Sequence, residues 1–222
     1  MEDNSIKPAF MGRVTASVTH ELQNVLAIIS ENQALMNDLL AMDHSQTKEQ
    51  LAKSLSKSLE TIERQVLRGK TRTSELNTFA HAPDRVRAEL PVVETVNALV
   101  SITRRITDLL EVEVKMADNQ EEQLVETDPL LFQAAVFSCI EWLTAISRPG
   151  TVLTILVHTP ENKTAVQMTA TSASDTPPFT ETLSDQDCKS SPLGQQCCLL
   201  CQKINAQVNV LTSGSGIEMV HG

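Results

Sequence analysis

Two long apolar stripes at helical spacing, broken once, occupy residues 1–80 and constrain the fold more than any other feature of the chain. Val14, Val18, Leu22, Val25, Ile29, Met36 and Leu39 recur at steps of three, four or seven, the pattern of an amphipathic helix that packs on other helices. After a loose lead-in over residues 1–7, with Pro8 in the first turn, this predicts a helix to about Ala41, a length of about 50 Å. Asp43-His44-Ser45-Gln46-Thr47 breaks the stripe, and Ser45 or Thr47 caps the next helix. That second helix, from about Lys48 to Phe79, carries Leu51, Leu55, Leu59, Ile62, Val66, Leu76 and Phe79 on one face. Two long antiparallel helices joined by a short turn cannot cover each other's stripes, whereas two such hairpins make a four-helix bundle. The expectation is a homodimer built on this hairpin.

His20 lies within the first helix, and periodicity decides where it points. At about 100° per residue it stands roughly 180° from Ile29 and about 160° from Leu22 and Val18, facing solvent. Arg13, Ala16, Ser17, Asn24, Ala27 and Glu31 fall within about 40 to 60° of it. A solvated face more often carries Lys, Glu and Gln, so this ring of mostly small residues leaves room for a second protein to approach the imidazole. Neutral imidazole is nucleophilic and titrates near neutral pH. An adjacent carboxylate can accept its proton and offset the charge on the ring, and Glu21 is the acid beside it. An ordinary surface histidine would share the periodicity but would leave Glu21, Asn24 and the alanines unexplained.

Thr19-His20-Glu21-Leu22-Gln23-Asn24, followed by Val25-Leu26-Ala27-Ile28-Ile29, resembles the H-box of the dimerisation and phosphoacceptor helix of two-component histidine kinases. The resemblance implies that His20 is the phosphorylated residue, Glu21 its acid-base partner and Asn24 the residue that positions water for response-regulator dephosphorylation. A receiver domain docking along the exposed face beyond His20 would meet Ala27, Ile28, Glu31 and Leu35.

Residues 81–90, with Pro83 and the charged Asp84, Arg85 and Arg87, read as a linker. The composition then changes over residues 91–222. Pro91 to Leu110 reads as a helix, Val112 to Met116 and Gln123 to Glu126 as strands, and Asp128 to Ile146 as a strongly apolar helix opened by Asp128 and Pro129. Thr151 to His158 and Thr164 to Thr171 are β-branched and turn on Pro160-Glu161-Asn162-Lys163. Leu193 to Ile204 is a further helix, and Gln207 to Leu211 with Gly216 to Val220 close the chain as a hairpin. The whole reads as an α+β chain, a helical hairpin followed by an α/β sandwich. This order of elements is similar to the ATP-binding domain that follows the H-box in histidine kinases.

The motifs of that domain are degraded. Asp128-Pro129-Leu130-Leu131-Phe132-Gln133 fits the opening of the family's N-box, but Ser138 and Trp142 stand where its asparagines would fall, and Trp cannot coordinate magnesium. After the strand ending near Thr171, the stretch Ser172-Ala173-Ser174-Asp175-Thr176-Pro177-Pro178-Phe179 supplies one acid and no glycine for a close backbone approach to adenine. Ser191-Pro192-Leu193-Gly194-Gln195 keeps a single glycine at the phosphate-binding position. The chain is therefore expected to hold no nucleotide and no cofactor of its own.

A formal charge of −10 and only 3% aromatic residues leave neither a basic stripe nor stacking platforms for nucleic acid. No apolar run approaches the roughly 20 residues of a membrane span, and the start lacks a signal peptide, so the expected location is cytoplasmic, without a membrane partner or a sensor segment. Five cysteines without an export signal argue against disulfides. Cys198-Leu199-Leu200-Cys201 has the spacing of a metal pair but lacks a second pair or a neighbouring His, so buried thiols are expected and no metal. Together these readings predict a histidine phosphotransferase that passes phosphoryl groups between response-regulator receiver domains through His20, with magnesium supplied by the receiver. A receiver phosphatase, a sequestering scaffold and a divergent kinase are the alternatives.

Overall fold

Thr47 caps the second helix of the hairpin: its Oγ1 accepts the Gln50 N–H at 3.2 Å, and the Gln50 side-chain oxygen accepts the Thr47 N–H at 3.1 Å. This reciprocal pair is a capping box. The computed structural model describes residues 6–41, 47–82, 86–118, 120–172, 176–180, 183–184, 186 and 190–222. The break at Asp43–Gln46, with the alternative cap Ser45, lies outside them, as do Pro83, Asp84, Arg85, Asp175 and Cys188.

The chain divides into two compact units, Gly12–Ala80 and a second formed by residues 1–11 with His81–Gly222. The first contains most of α1 (Ile6–Ala41) and all of α2 (Lys48–Ala80). α1 begins at Ile6, within the stretch expected as a lead-in. Pro8 is tolerated because the first N–H groups of a helix have no intrahelical partner to lose. Val25 meets α2 where Gly69 presents no side chain; a Cβ added there would stand 3.4 Å from the Val25 Cγ1.

The second unit is built on a mixed five-stranded sheet. Its order is β2 (Glu113–Met116), β4 (Thr151–His158), β5 (Ala165–Ser172), β7 (Gly216–His221) and β6 (Ala206–Val210). β2 runs parallel to β4, and the other neighbours are antiparallel. Leu153, Ile155 and Val157 pair across with Ala170, Met168 and Val166, and the last two meet Ile217 and Met219. All are buried, so one face of the sheet forms the core. Gly216 is required by close backbone approach: a Cβ there would lie 2.0 Å from the Met168 carbonyl oxygen.

Among the described residues three α-helices lie wholly in this unit: α3 (Val92–Asp108), α4 (Pro129–Ile146) and α5 (Pro192–Lys203). Asp128 caps α4 by accepting the Leu131 N–H at 2.9 Å, while its other oxygen accepts from Lys7 at 2.6 Å. The Phe10 ring packs 5.4 Å from that of Phe137, which places the start of α1 in this unit. Among the described residues α4 is the one helix long and apolar enough to cross a membrane, but Phe132, Ile140, Trp142 and Leu143 are buried in the core.

One expectation is corrected. The end of the span 81–90, expected as a linker, enters a strand, β1 (Ala88–Pro91), which pairs antiparallel with β3 (Leu124–Thr127). The short run Ala88-Glu89-Leu90 gives little local signal, and burial of Leu90 opposite Val125 is what fixes it.

Candidate functional site

α1 carries His20 on its exposed side, and Asn24, Ala27, Glu31 and Leu35 continue the same exposed stripe. Ile28 is half-buried because it lies about 80° around the helix from His20. The predicted receiver-facing residues are thus brought together along one line, with Ile28 at its margin.

Glu21 is placed differently. One residue on from His20, the helix has turned about 100°, and the side chain enters the interior of the hairpin, where Glu21 is only 4% exposed. Its Oε2 accepts from Arg72 Nε at 2.9 Å and from Arg68 Nη2 at 3.4 Å. Arg72 in turn donates from Nη1 to Glu75 Oε2 at 2.7 Å. Burial works against the Arg72 charge, but the Glu75 hydrogen bond and the charges of Glu21 and Glu75 outweigh it and raise the pKa above its ordinary value. The carboxylate that the resemblance makes the acid-base partner of His20 is thus engaged by α2. A charge-assisted pair buried between two helices holds the α1 turn that presents the imidazole.

Arg68, Arg72 and Glu75 are the residues sequence reasoning passed over. Each reads as an ordinary charged position on a helix. Only the antiparallel register of α1 and α2 sets Arg72 opposite Glu21, 51 residues away.

In the second unit, the positions corresponding to the N-box asparagines point into the core. Trp142 and Ser138 are both buried, and among the described residues the Ser138 hydroxyl has no hydrogen-bond partner. The amide of Gly194, at the phosphate-loop position, donates to Ser191 Oγ at 2.9 Å as part of the α5 cap. That N–H is therefore committed to the helix itself. A cleft of about 250 Å³ is lined by Arg148, Phe179, Thr180, Ser213 and Ser215, smaller than the roughly 300 to 1,000 Å³ of small-molecule sites.

Three of the four described cysteines are buried thiols, as expected, and they meet. The spacing Cys198 to Cys201 suggested a pair, but α5 buries Cys197 and Cys201 and leaves Cys198 half-buried. Cys139 from α4 joins them, its Sγ 2.8 Å from Cys197 and 4.0 Å from Cys201. The spacing of four between Cys197 and Cys201 is the signal that marks one helix face.

No family model matches the sequence. No curated protein matches it. Among solved structures, the histidine kinase AdeS of Acinetobacter baumannii is similar at 14% identity and a TM-score of 0.47, over 90% of this chain and 95% of that one. The histidine kinase ThkA, in complex with the response regulator TrrA, is similar at 16% identity and a TM-score of 0.47, over 98% of this chain and 63% of that one. A bacterial phosphotransferase is similar at 10% identity and a TM-score of 0.44, over 96% and 95%. The likeness is one of fold.

Proposed function

We propose that the chain is a histidine phosphotransferase of a two-component phosphorelay. A neutral His20 nitrogen attacks the aspartyl phosphate of one receiver domain. The N–P bond forms, the carboxylate leaves, and the phosphoryl group then passes to the aspartate of a second receiver. Magnesium bound by the receiver neutralises charge in flight, and this chain supplies position, which is most of what phosphoryl transfer asks of a protein. The observation that carries the reading is the exposed His20 on a line of accessible positions, Asn24, Ala27, Glu31 and Leu35. In this reading Glu21, held by Arg72, anchors the turn.

Transfer without ATP is supported by the buried Ser138 and Trp142 and by the committed Gly194 amide. Pairing with a second copy is supported by the apolar side chains the hairpin leaves exposed, Leu26 and Leu40 on α1 and Leu59, Val66 and Leu67 on α2. Sedimentation of Leu26→Glu and Leu59→Glu variants tests it, monomers being expected where the unaltered chain is a dimer.

The deciding experiment incubates the purified protein with radiolabelled ATP alone, then with receiver domains prephosphorylated by an active kinase, alongside His20→Ala. Label on the unaltered chain only from a receiver, and none on the variant, is the expected result. Label from ATP alone would make the chain a divergent kinase. Asn24, exposed one turn beyond His20, favours receiver phosphatase activity as the second reading. Faster loss of receiver phosphate, abolished by Asn24→Ala and retained in His20→Ala, would establish that instead.

A further inference from the structure

Four cysteines lie among the described residues, and three of them meet. α5 stacks Cys197 and Cys201 one turn apart, and α4 directs Cys139 to the same point. The Sγ atoms of Cys139 and Cys197 are 2.8 Å apart, those of Cys139 and Cys201 4.0 Å, and all three lie within 4.8 Å of one another. Around an ion at about 2.3 Å from each sulfur, a triangle of sulfurs has edges of about 4 Å; the Cys139–Cys201 edge has that length, and the 2.8 Å Cys139–Cys197 edge would open on binding.

The donor set is all sulfur. Among the described residues no His or carboxylate joins the three, so soft ions such as copper(I) and zinc are favoured over hard ones. Structural zinc adds a fourth ligand. Here no water has access, since the three cysteines are at most 1% exposed, and Cys198 projects about 100° away from Cys197 around α5. We infer that Cys139, Cys197 and Cys201 form a closed three-sulfur site for a thiophilic cation of the copper(I) class, tying α4 to α5.

The test titrates the reduced full chain, under anaerobic conditions, with copper(I) buffered by bicinchoninate as a competing chelator. A single equivalent should be retained, and the emission of Trp142, one turn beyond Cys139 on α4, should change with it. Retention should fall more than tenfold in Cys139→Ser and in Cys201→Ala and stay unchanged in Cys198→Ser. Far-UV circular dichroism of the metal-free variants shows which of them fold, and either of the two core variants suffices. The inference is overturned if the chelator strips copper from the unaltered chain, if retention survives in a folded core variant, or if zinc displaces copper(I) stoichiometrically. It is equally overturned if mild oxidation joins Cys139 to Cys197, with loss of two hydrogens, in a chain that retains no metal. The pair would then be a redox couple.

Discussion

Replacing Arg72 with methionine keeps the apolar stem and removes the charge, so it isolates the ion pair inside the hairpin. At 2.9 Å the attraction between the Glu21 and Arg72 charges is about 6 kcal/mol for an effective dielectric near 20. Much of this is offset by desolvation, but removing one partner of a buried pair strands the other, which costs about 3 to 5 kcal/mol. Glu21 and Arg72 side chains are 5% and 13% exposed, so the buried case applies. Arg68, 3.4 Å from the same oxygen and 54% exposed, returns the fraction of a kcal/mol typical of an exposed pair. The expected loss is about 3 kcal/mol, at the low end of the buried-pair range. Urea unfolding followed by far-UV circular dichroism at fixed protein concentration measures it. Trp142 emission reports the other unit and should move less. In a Glu21→Gln background the more exposed Glu75 is the carboxylate left to lose Arg72, and the same Arg72 substitution should cost about 1 kcal/mol. A loss under about 1 kcal/mol in the unaltered background, or one undiminished by Glu21→Gln, would refute the anchoring role.

Ala27→Arg, a long side chain on the exposed stripe, should slow phosphoryl transfer from receivers at least tenfold while leaving the circular dichroism unchanged; stopped-time labelling of His20 measures it. Gly69→Ala should stabilise the hairpin by about 0.5 to 1 kcal/mol through helix propensity, because the new Cβ meets Val25 at an ordinary 3.4 Å. Gly216→Ala should abolish soluble expression or destabilise the sheet severely, since its Cβ would occupy the space of the Met168 carbonyl; a thermal melt compares the two glycines. Burial, and then the Arg87 charge, lower the His221 pKa below its usual 6.5. The unfolded chain therefore binds that proton more readily, so stability should fall as pH drops through 6.5 toward the lower folded value. His221→Gln should flatten urea midpoints measured between pH 7.5 and 5.5.

Features carried by local pattern were legible from the sequence alone. The exposure of His20 follows from a stripe that repeats every helical turn. The Asp128 cap, and Thr47 as one of two candidates, follow from side chains that reach N–H groups only three residues away, whereas the Ser191 cap was not read from the sequence. The β4–β5 and β6–β7 hairpins follow from β-branched runs with turn residues between them. Tertiary structure decided whatever depends on register between distant segments. β1 exists because Leu90 finds Val125, and neither residue announces the other. Glu21 turns inward because two antiparallel helices set Arg72 against it, where the sequence shows only an acid beside a histidine. The cysteine trio gathers 58 and 62 residues of separation into one point because α4 and α5 pack together. Short-range periodicity is set by backbone geometry, the same in every helix, whereas long-range pairing is set by packing, and packing is a property of the whole chain.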